Sequence, residues 1–139
     1  MNQERYAVRL PLEVTADRYG DAWNRHDVDA ILALHTDDAV FENHTSGGIA
    51  VGKVEIRRLL EGVFATFPDL RFTKRRAYFG EEVAVLEWTA TATHARPIAR
   101  GARTFPPTGK TLAWNGMDVL PFRDGLIARK DVYADSISF

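Results

Sequence analysis

Cysteine is absent from the 139-residue chain. This absence excludes a disulfide framework, a thiolate nucleophile and a thiolate metal site, and it fits a reducing compartment. No charge of one sign dominates, since 18 lysines and arginines stand against 19 aspartates and glutamates. We therefore have no electrostatic reason to expect nucleic acid or an anionic membrane as a partner.

Long hydrophobic runs are also missing. No stretch approaches the roughly 20 apolar residues of a membrane-spanning helix, and the first residues begin no apolar run typical of a signal peptide. We expect a cytoplasmic protein. The length and the apolar content of 45% fit one domain over residues 1–139.

Sequence motifs for cofactor chemistry are absent. No glycine loop of the phosphate-binding type and no nucleophile elbow is found. The four histidines lack the helical spacing with carboxylates that typifies a metal site. We expect no metal and no cofactor, so any chemistry would depend on acid/base side chains.

Helical periodicity marks three segments in the first half of the chain. Apolar residues recur on one face after Pro11, and Asp27 is a good N-cap for a second, short helix. A turn is predicted at Thr36–Asp38, before a short strand at Ala39–Glu42. The third helix has a continuous apolar face and is ended by Pro68.

Strand patterns fill the second half. Segments 70–79, 82–94, 111–122 and 126–134 are separated by two tight turns and by a long loop over 95–110. Helices followed by hairpin-linked strands indicate an α+β fold. We expect a cone-shaped, curved antiparallel or mixed sheet, wrapped by the N-terminal helices and enclosing an apolar pocket.

Asp118 is the one acid on an otherwise apolar strand face. Side chains alternate across a strand, so the even positions of 112–122 share a face, and all except Asp118 are apolar or glycine. A carboxyl group buried there is costly unless it is paired or protonated. Two interpretations are open: a structural acid satisfied by a neighbour, or a functional acid whose pKa is raised by burial.

Three further polar residues are candidates for the same pocket. His94 ends the apolar face of 82–94 near the expected rim, either bonded to the following loop or acting as a general base. Tyr19 lies on the inner face of the first helix, as a core residue or a hydrogen-bond donor. Asn43 ends the first strand, where it caps a turn or points inward. Aromatic walls are expected from Trp23, Trp88, Trp114 and Phe122.

The chain resembles a known family over about residues 15–135. Asp17–Tyr19 and Trp23–Ile31 resemble the opening of nuclear transport factor 2-like domains. Gly116–Val119 and Phe122–Ile127, with Pro107–Lys110 before them, resemble the SnoaL-like polyketide cyclase branch. This resemblance implies the cone-shaped fold, which hosts isomerases, dehydratases, cyclases and binding modules.

The same resemblance implies roles for single residues. Asp118 matches the general acid/base of the cyclases, and His94 resembles a histidine of the cyclase pocket. Tyr19 matches the oxyanion-hole tyrosine of ketosteroid isomerase. Asn43 matches the aspartate base of that isomerase, and an asparagine cannot abstract a proton.

The leading hypothesis is a cofactor-independent acid/base enzyme, of cyclase or isomerase type, acting on a hydrophobic oxygenated small molecule. The alternative is a non-catalytic module that binds a small ligand or another protein. The outer face of 111–121 is partly apolar, which indicates a homodimer formed through the outer sheet face.

Overall fold

The computed structural model describes residues 10–100 and 102–135, without the side chain of Arg100. Both ends of the expected domain lie outside this range. The helices are α1 (Leu12–Asn24), α2 (Val28–Ala33) and α3 (Gly52–Thr66). The strands are β1 (His35–Asn43), β2 (Ile49–Val51), β3 (Arg71–Phe79), β4 (Val83–Thr93), β5 (Ile98–Arg100), β6 (Arg103–Phe105), β7 (Thr111–Arg123) and β8 (Leu126–Ala134). None of the helices in this range is long and apolar enough to cross a membrane.

The helices begin and end close to their predicted bounds. Pro11 precedes the first residue of α1, where its missing N–H costs nothing. The Asp27 carboxylate caps α2 by accepting from the backbone N–H of Ala30 at 3.0 Å. α3 ends just before Pro68.

Six of the strands form one mixed sheet in the order β2-β1-β8-β7-β4-β3. The pairing of β1 with β8 is parallel, and the other four pairings are antiparallel. α1 packs on β3 and β4, and α3 packs on β1 and β2. The α+β fold expected from the sequence, a curved sheet covered by helices, is confirmed.

The predicted turn at Thr36–Asp38 is wrong, because these residues belong to β1. The pairing of β1 with β8 shifts register between His35 and Val40, and this irregular stretch accommodates the turn-forming residues. Asp38 accepts from the Arg123 guanidinium at 2.5 Å and from the Thr36 hydroxyl at 2.9 Å. These bonds hold the acidic segment in an extended conformation on the surface.

Two short elements were not expected. β2 is three residues long and follows the glycine loop after β1. β5 and β6 form a small separate hairpin inside the expected loop. Strands of three residues contain too few positions for a period-2 pattern to be recognised.

The core lies between the helices and the concave face of the sheet. As predicted, the even positions of β4 and β7 point into it. Its fully buried large side chains include Tyr19, Ile31, Ile56, Leu60, Leu120 and Ile127.

Candidate functional site

Asp118 lies where the strand pattern places it, on the inner face of β7. Its neighbours on that face, Leu120 and Phe122, are buried, and Asp118 itself is only 5% exposed. The carboxyl group is therefore held in apolar surroundings.

Lys130 is the partner of Asp118. It is only 4% exposed, and its Nζ lies 3.3 Å from Oδ2 of Asp118. Sequence analysis missed this residue, although the signal was present. The even positions of β8 are apolar except for Lys130, just as those of β7 are apolar except for Asp118. A cation and an anion on adjacent inner strand faces indicate a buried ion pair.

Three aromatic rings surround the Lys130 ammonium group. Its Nζ is 3.9 Å from the ring centroid of Trp23, 4.9 Å from that of Tyr19 and 5.1 Å from that of Phe41. Such faces attract a cation. Burial nevertheless lowers the pKa of Lys130, and the negative charge of Asp118 opposes this effect.

The two carboxylate oxygens of Asp118 differ. Oδ2 interacts with Lys130, whereas Oδ1 is buried and has no hydrogen-bond partner within residues 10–100 and 102–135. A buried acceptor that is left unsatisfied normally costs stability. Among the described residues, Oδ1 is thus a buried acceptor that no donor satisfies.

Two cavities meet at this ion pair, with volumes of about 410 and 370 Å³. The first reaches the surface between α1 and the β3–β4 pair, and the second lies beneath the β1–β2 turn, the end of α3 and β5. Both are lined by Trp23, Phe72, Trp88, Asp118 and Lys130. Asp118 and Lys130 therefore border both cavities.

The aromatic residues expected as walls divide into two groups. Trp23 and Trp88 line both cavities, and Trp114 lines the second. Phe122 lines neither and packs in the core cluster. Gly116 permits the position of Trp88, because a Cβ at that glycine would lie 2.3 Å from Cη2 of the indole ring.

Tyr19 lines the first cavity, but its hydroxyl is hydrogen-bonded to Nε2 of His35 at 2.9 Å. Burial, and then the charge of Asp118, raise the pKa of Tyr19 well above its usual value. Burial, with Lys130 and Lys53 as further causes, lowers the pKa of His35 to about 3. A protonated phenol and a neutral imidazole therefore lie beside the ion pair. The sequence did not indicate His35.

Asn43 caps a turn, which is one of its two expected roles. Its Oδ1 accepts from the backbone N–H groups of Thr45 and Ser46, both at 3.0 Å. The residue also lines the second cavity. Its carbonyl oxygen is engaged by the turn.

His94 is fully buried, so the expected position at the rim is wrong. The following loop folds back over it: its backbone N–H donates to Lys110 at 3.0 Å, and its carbonyl accepts from Gly109 at 3.1 Å. Its Nδ1 lies 3.4 Å from the Thr108 hydroxyl. His94 is not among the residues that line the two cavities.

A second charged cluster lies on the outer face of the sheet. Glu42, His44 and Asp131 each offer a ligand atom, and these atoms lie within 4.8 Å of one another. The Arg129 guanidinium already donates to both carboxylates. This arrangement is a network of ion pairs, and we assign no metal to it.

Comparison with protein families matches residues 16–130 to the SnoaL-like domain. The chain belongs to the SnoaL-like domain family. Among curated proteins, no significant match to this SnoaL-like chain is found.

Solved structures similar to this SnoaL-like protein include AclR from Streptomyces galilaeus, a proposed hydroxylase. It is 25% identical, with 88% of this chain and 77% of AclR covered and a TM-score of 0.74. A proposed SnoaL-like polyketide cyclase from Jannaschia sp. CCS1 is 18% identical, with 87% and 83% covered and a TM-score of 0.77.

A third structure is a protein with a ketosteroid isomerase-like fold from Catenulispora acidiphila, in complex with trimethylamine. It is 17% identical, with 86% of this chain and 83% of that chain covered and a TM-score of 0.70. The resemblance suggested by the sequence is confirmed for family and fold. At these identities, a likeness in structure does not transfer an activity.

Proposed function

We propose that this SnoaL-like protein is a cofactor-independent acid/base enzyme acting on a hydrophobic small molecule that carries a carbonyl group. The observation that carries the proposal is the Asp118–Lys130 pair, which is buried and lines two cavities. Among the described residues, one oxygen of its carboxylate has no hydrogen-bond partner. Groups with this combination of burial and charge partner concentrate at functional sites.

The first step would be removal of a proton from the carbon next to the carbonyl group. Oδ1 of Asp118 takes the proton, and the electron pair of the C–H bond moves toward the carbonyl oxygen. The Lys130 ammonium group donates a hydrogen bond to that oxygen as its negative charge develops. A preorganised donor in a water-poor site stabilises such a charge more than water does.

Two outcomes can follow from the enolate. Return of the proton to another carbon isomerises the molecule, and attack of the enolate carbon on a second carbonyl in the same molecule closes a ring. In both cases Asp118 returns the proton it took, so no cofactor is consumed. Cyclase activity, proposed for the Jannaschia structure, is chemistry of the second kind.

Lys130 replaces the residues that the sequence predicted as hydrogen-bond donors to the substrate oxygen. The family resemblance implied Asp118 as the general acid/base, His94 as a pocket histidine and Tyr19 as the donor to the substrate oxygen. His94 lines neither cavity, and the Tyr19 hydroxyl is hydrogen-bonded to His35. We therefore place the hydrogen-bond donor on Lys130 and the base on Asp118.

The substrate class follows from the cavity lining. Indole and phenyl rings of Trp23, Phe72 and Trp88 surround the ion pair. A cavity of about 410 Å³ lies within the size range of small-molecule sites. A flat, apolar molecule with one or two carbonyl groups fits these surfaces.

The experiment is exchange of ketone α-protons for solvent deuterium, followed by NMR with 2-tetralone as the probe. Asp118→Asn should slow the protein-catalysed exchange by roughly 10²–10⁴-fold, the usual contribution of a positioned acid/base group. Asp131→Asn, on the outer face of β8, is the matched control and should exchange at the wild-type rate. Equal rates in wild type and Asp118→Asn would falsify the proposal.

A second candidate is a non-catalytic module that binds a small apolar ligand. The observation that favours it is that Asn43, which by resemblance matches the isomerase base, caps a turn. A ligand that raises the melting temperature and is recovered chemically unchanged, with no α-proton exchange, would favour this function.

We also propose that two copies pair through the outer sheet face. Met117, Val119 and Pro121 of β7 are half-buried on that face, and Tyr133 of β8 is exposed. Light scattering at micromolar concentration should give the mass of a dimer; a monomer would contradict this pairing.

A further inference from the structure

Lys130 differs from every other lysine of the chain. The chain contains four, and Lys53, Lys74 and Lys110 lie at the surface. Only Lys130 is buried, and it is among the residues that line both cavities. A molecule in either cavity can therefore bring an electrophilic carbon to this nitrogen.

We propose that Lys130 captures an aldehyde or an unhindered ketone covalently, as a reversible imine. This inference rests on the proposed function in one respect only, that a carbonyl compound enters the same cavity. It adds covalent chemistry at the nitrogen to the hydrogen bond proposed above, and it narrows the substrate class to carbonyls that an amine can attack.

A proton acceptor for the lysine lies within reach. An ammonium group is not a nucleophile, so it must first lose a proton. Asp118 Oδ2, 3.3 Å from Nζ, can take that proton. Burial lowers the pKa of Lys130, so removal of this proton costs less free energy than it does for a solvated lysine.

The step balances within the pair. The neutral amine attacks the carbonyl carbon; an N–C bond forms, and the C=O π electrons move to oxygen. That oxygen takes a proton from nitrogen, which gives a carbinolamine. The Asp118 carboxyl group then protonates the hydroxyl, water leaves, and the nitrogen lone pair completes a protonated C=N bond. In total, one ammonium and one carbonyl give one iminium and one water.

The site stabilises the iminium product by the same contacts that stabilise the free lysine. An iminium ion carries the same single positive charge as the ammonium it replaces. Asp118 remains its counter-ion, and the rings of Trp23, Tyr19 and Phe41 face the same nitrogen. The aromatic rings next to the nitrogen restrict water there, which slows hydrolysis back to the free amine.

The test is reductive trapping on the full chain near neutral pH, with cinnamaldehyde as the probe and cyanoborohydride as the reductant. Peptide mapping by mass spectrometry then locates the adduct. We expect one reduced adduct at Lys130, formed at least 10-fold faster than at any surface lysine.

Variants control for folding and for background labelling. Lys130→Met and Lys130→Arg should both lose the adduct, and circular dichroism checks that each remains folded. Lys110→Arg, which removes an exposed lysine that lines neither cavity, should keep the Lys130 adduct. Labelling of surface lysines alone would overturn the inference.

Cinnamyl alcohol separates failure of the imine from failure of the proposed function. This alcohol has the same shape as the aldehyde but cannot form an imine. If it raises the melting temperature while Lys130 stays unlabelled by the aldehyde, the imine is overturned and the acid/base proposal stands. If the alcohol has no effect and the aldehyde gives no adduct at Lys130, the cavity does not admit such molecules and both proposals fail.

Discussion

The two faces of β8 carry two charged clusters that differ in their exposure to solvent. On the inner face, Lys130 meets Asp118, and both side chains are less than 10% exposed. On the outer face, Arg129 bonds Glu42 and Asp131, and His44 contacts Asp131 at 2.8 Å. Adjacent residues of one strand thus take part in a desolvated pair and in a half-exposed network.

The difference lies in how completely the charges are satisfied. The outer carboxylates have several partners: both oxygens of Asp131 accept from Arg129 at 3.0 Å, and His44 also stacks on Tyr133 with ring centroids 4.4 Å apart. Among the residues that the structure describes, the inner pair has one ion-pair contact, besides the aromatic rings around Lys130, and leaves one oxygen of Asp118 without a hydrogen-bond donor. In the outer network the charged groups are bonded to one another, which is a structural arrangement. In the inner pair one acceptor is left over, and on our proposal this acceptor acts on a ligand.

The largest expected effect breaks the inner pair. Lys130→Met leaves the Asp118 carboxylate buried without a counter-charge, and we expect a loss of about 3–5 kcal/mol in the free energy of unfolding. Adding Asp118→Leu should recover most of this loss, because the double variant buries no charge. Urea denaturation measures both; a single variant as stable as wild type would mean that water reaches the pair.

The second effect concerns the cavity wall. Gly116→Ala brings a methyl group against the indole of Trp88, which must move. Overpacking of this kind costs about 1–3 kcal/mol. The melting temperature and the tryptophan fluorescence should both change. Gly62→Ala, at a helix position with open space around it, is the matched control.

The third effect is a pH dependence from His35, which is buried beside the inner pair. Its folded pKa of about 3 lies below the usual unfolded value of about 6.5, so the unfolded chain binds the proton first as pH falls. The stabilisation from the neutral imidazole is therefore complete above pH ~6.5 and is lost progressively toward pH ~3. His35→Gln should flatten this slope in urea unfolding; an unchanged slope would exclude His35 as its source.

The smallest effect is expected on the outer face. Asp131→Asn removes one charge from a network in contact with solvent, and such pairs contribute about 0.2–1 kcal/mol. The loss should shrink further at high salt. If Asp131→Asn lowered the free energy of unfolding as much as Lys130→Met, the two faces would not differ in the way described.

Strand alternation made the inner face predictable. The even positions of β4 and β7 were assigned correctly, and Asp118 was identified as the buried acid. In β8 the same alternation places Lys130 as the one charged residue on an apolar face. The partner of Asp118 could therefore have been predicted by the same rule.

Other features could not be derived from periodicity. The burial of His94 depends on a loop that folds back through backbone hydrogen bonds, which have no sequence signature. The contact of Tyr19 with His35 joins α1 to β1 across a register shift. Such long-range geometry is set by tertiary packing, which local pattern does not encode.

The most direct test of the central claim, that Asp118 and Lys130 work as one unit on a carbonyl compound, is a double-mutant cycle of 2-tetralone α-proton exchange. Asp118→Asn and Lys130→Met should each slow the exchange. The double variant should be little slower than the more impaired single variant, since groups that act as a unit are strongly non-additive. Rate losses that multiply in the double variant would contradict the account and leave two independent residues.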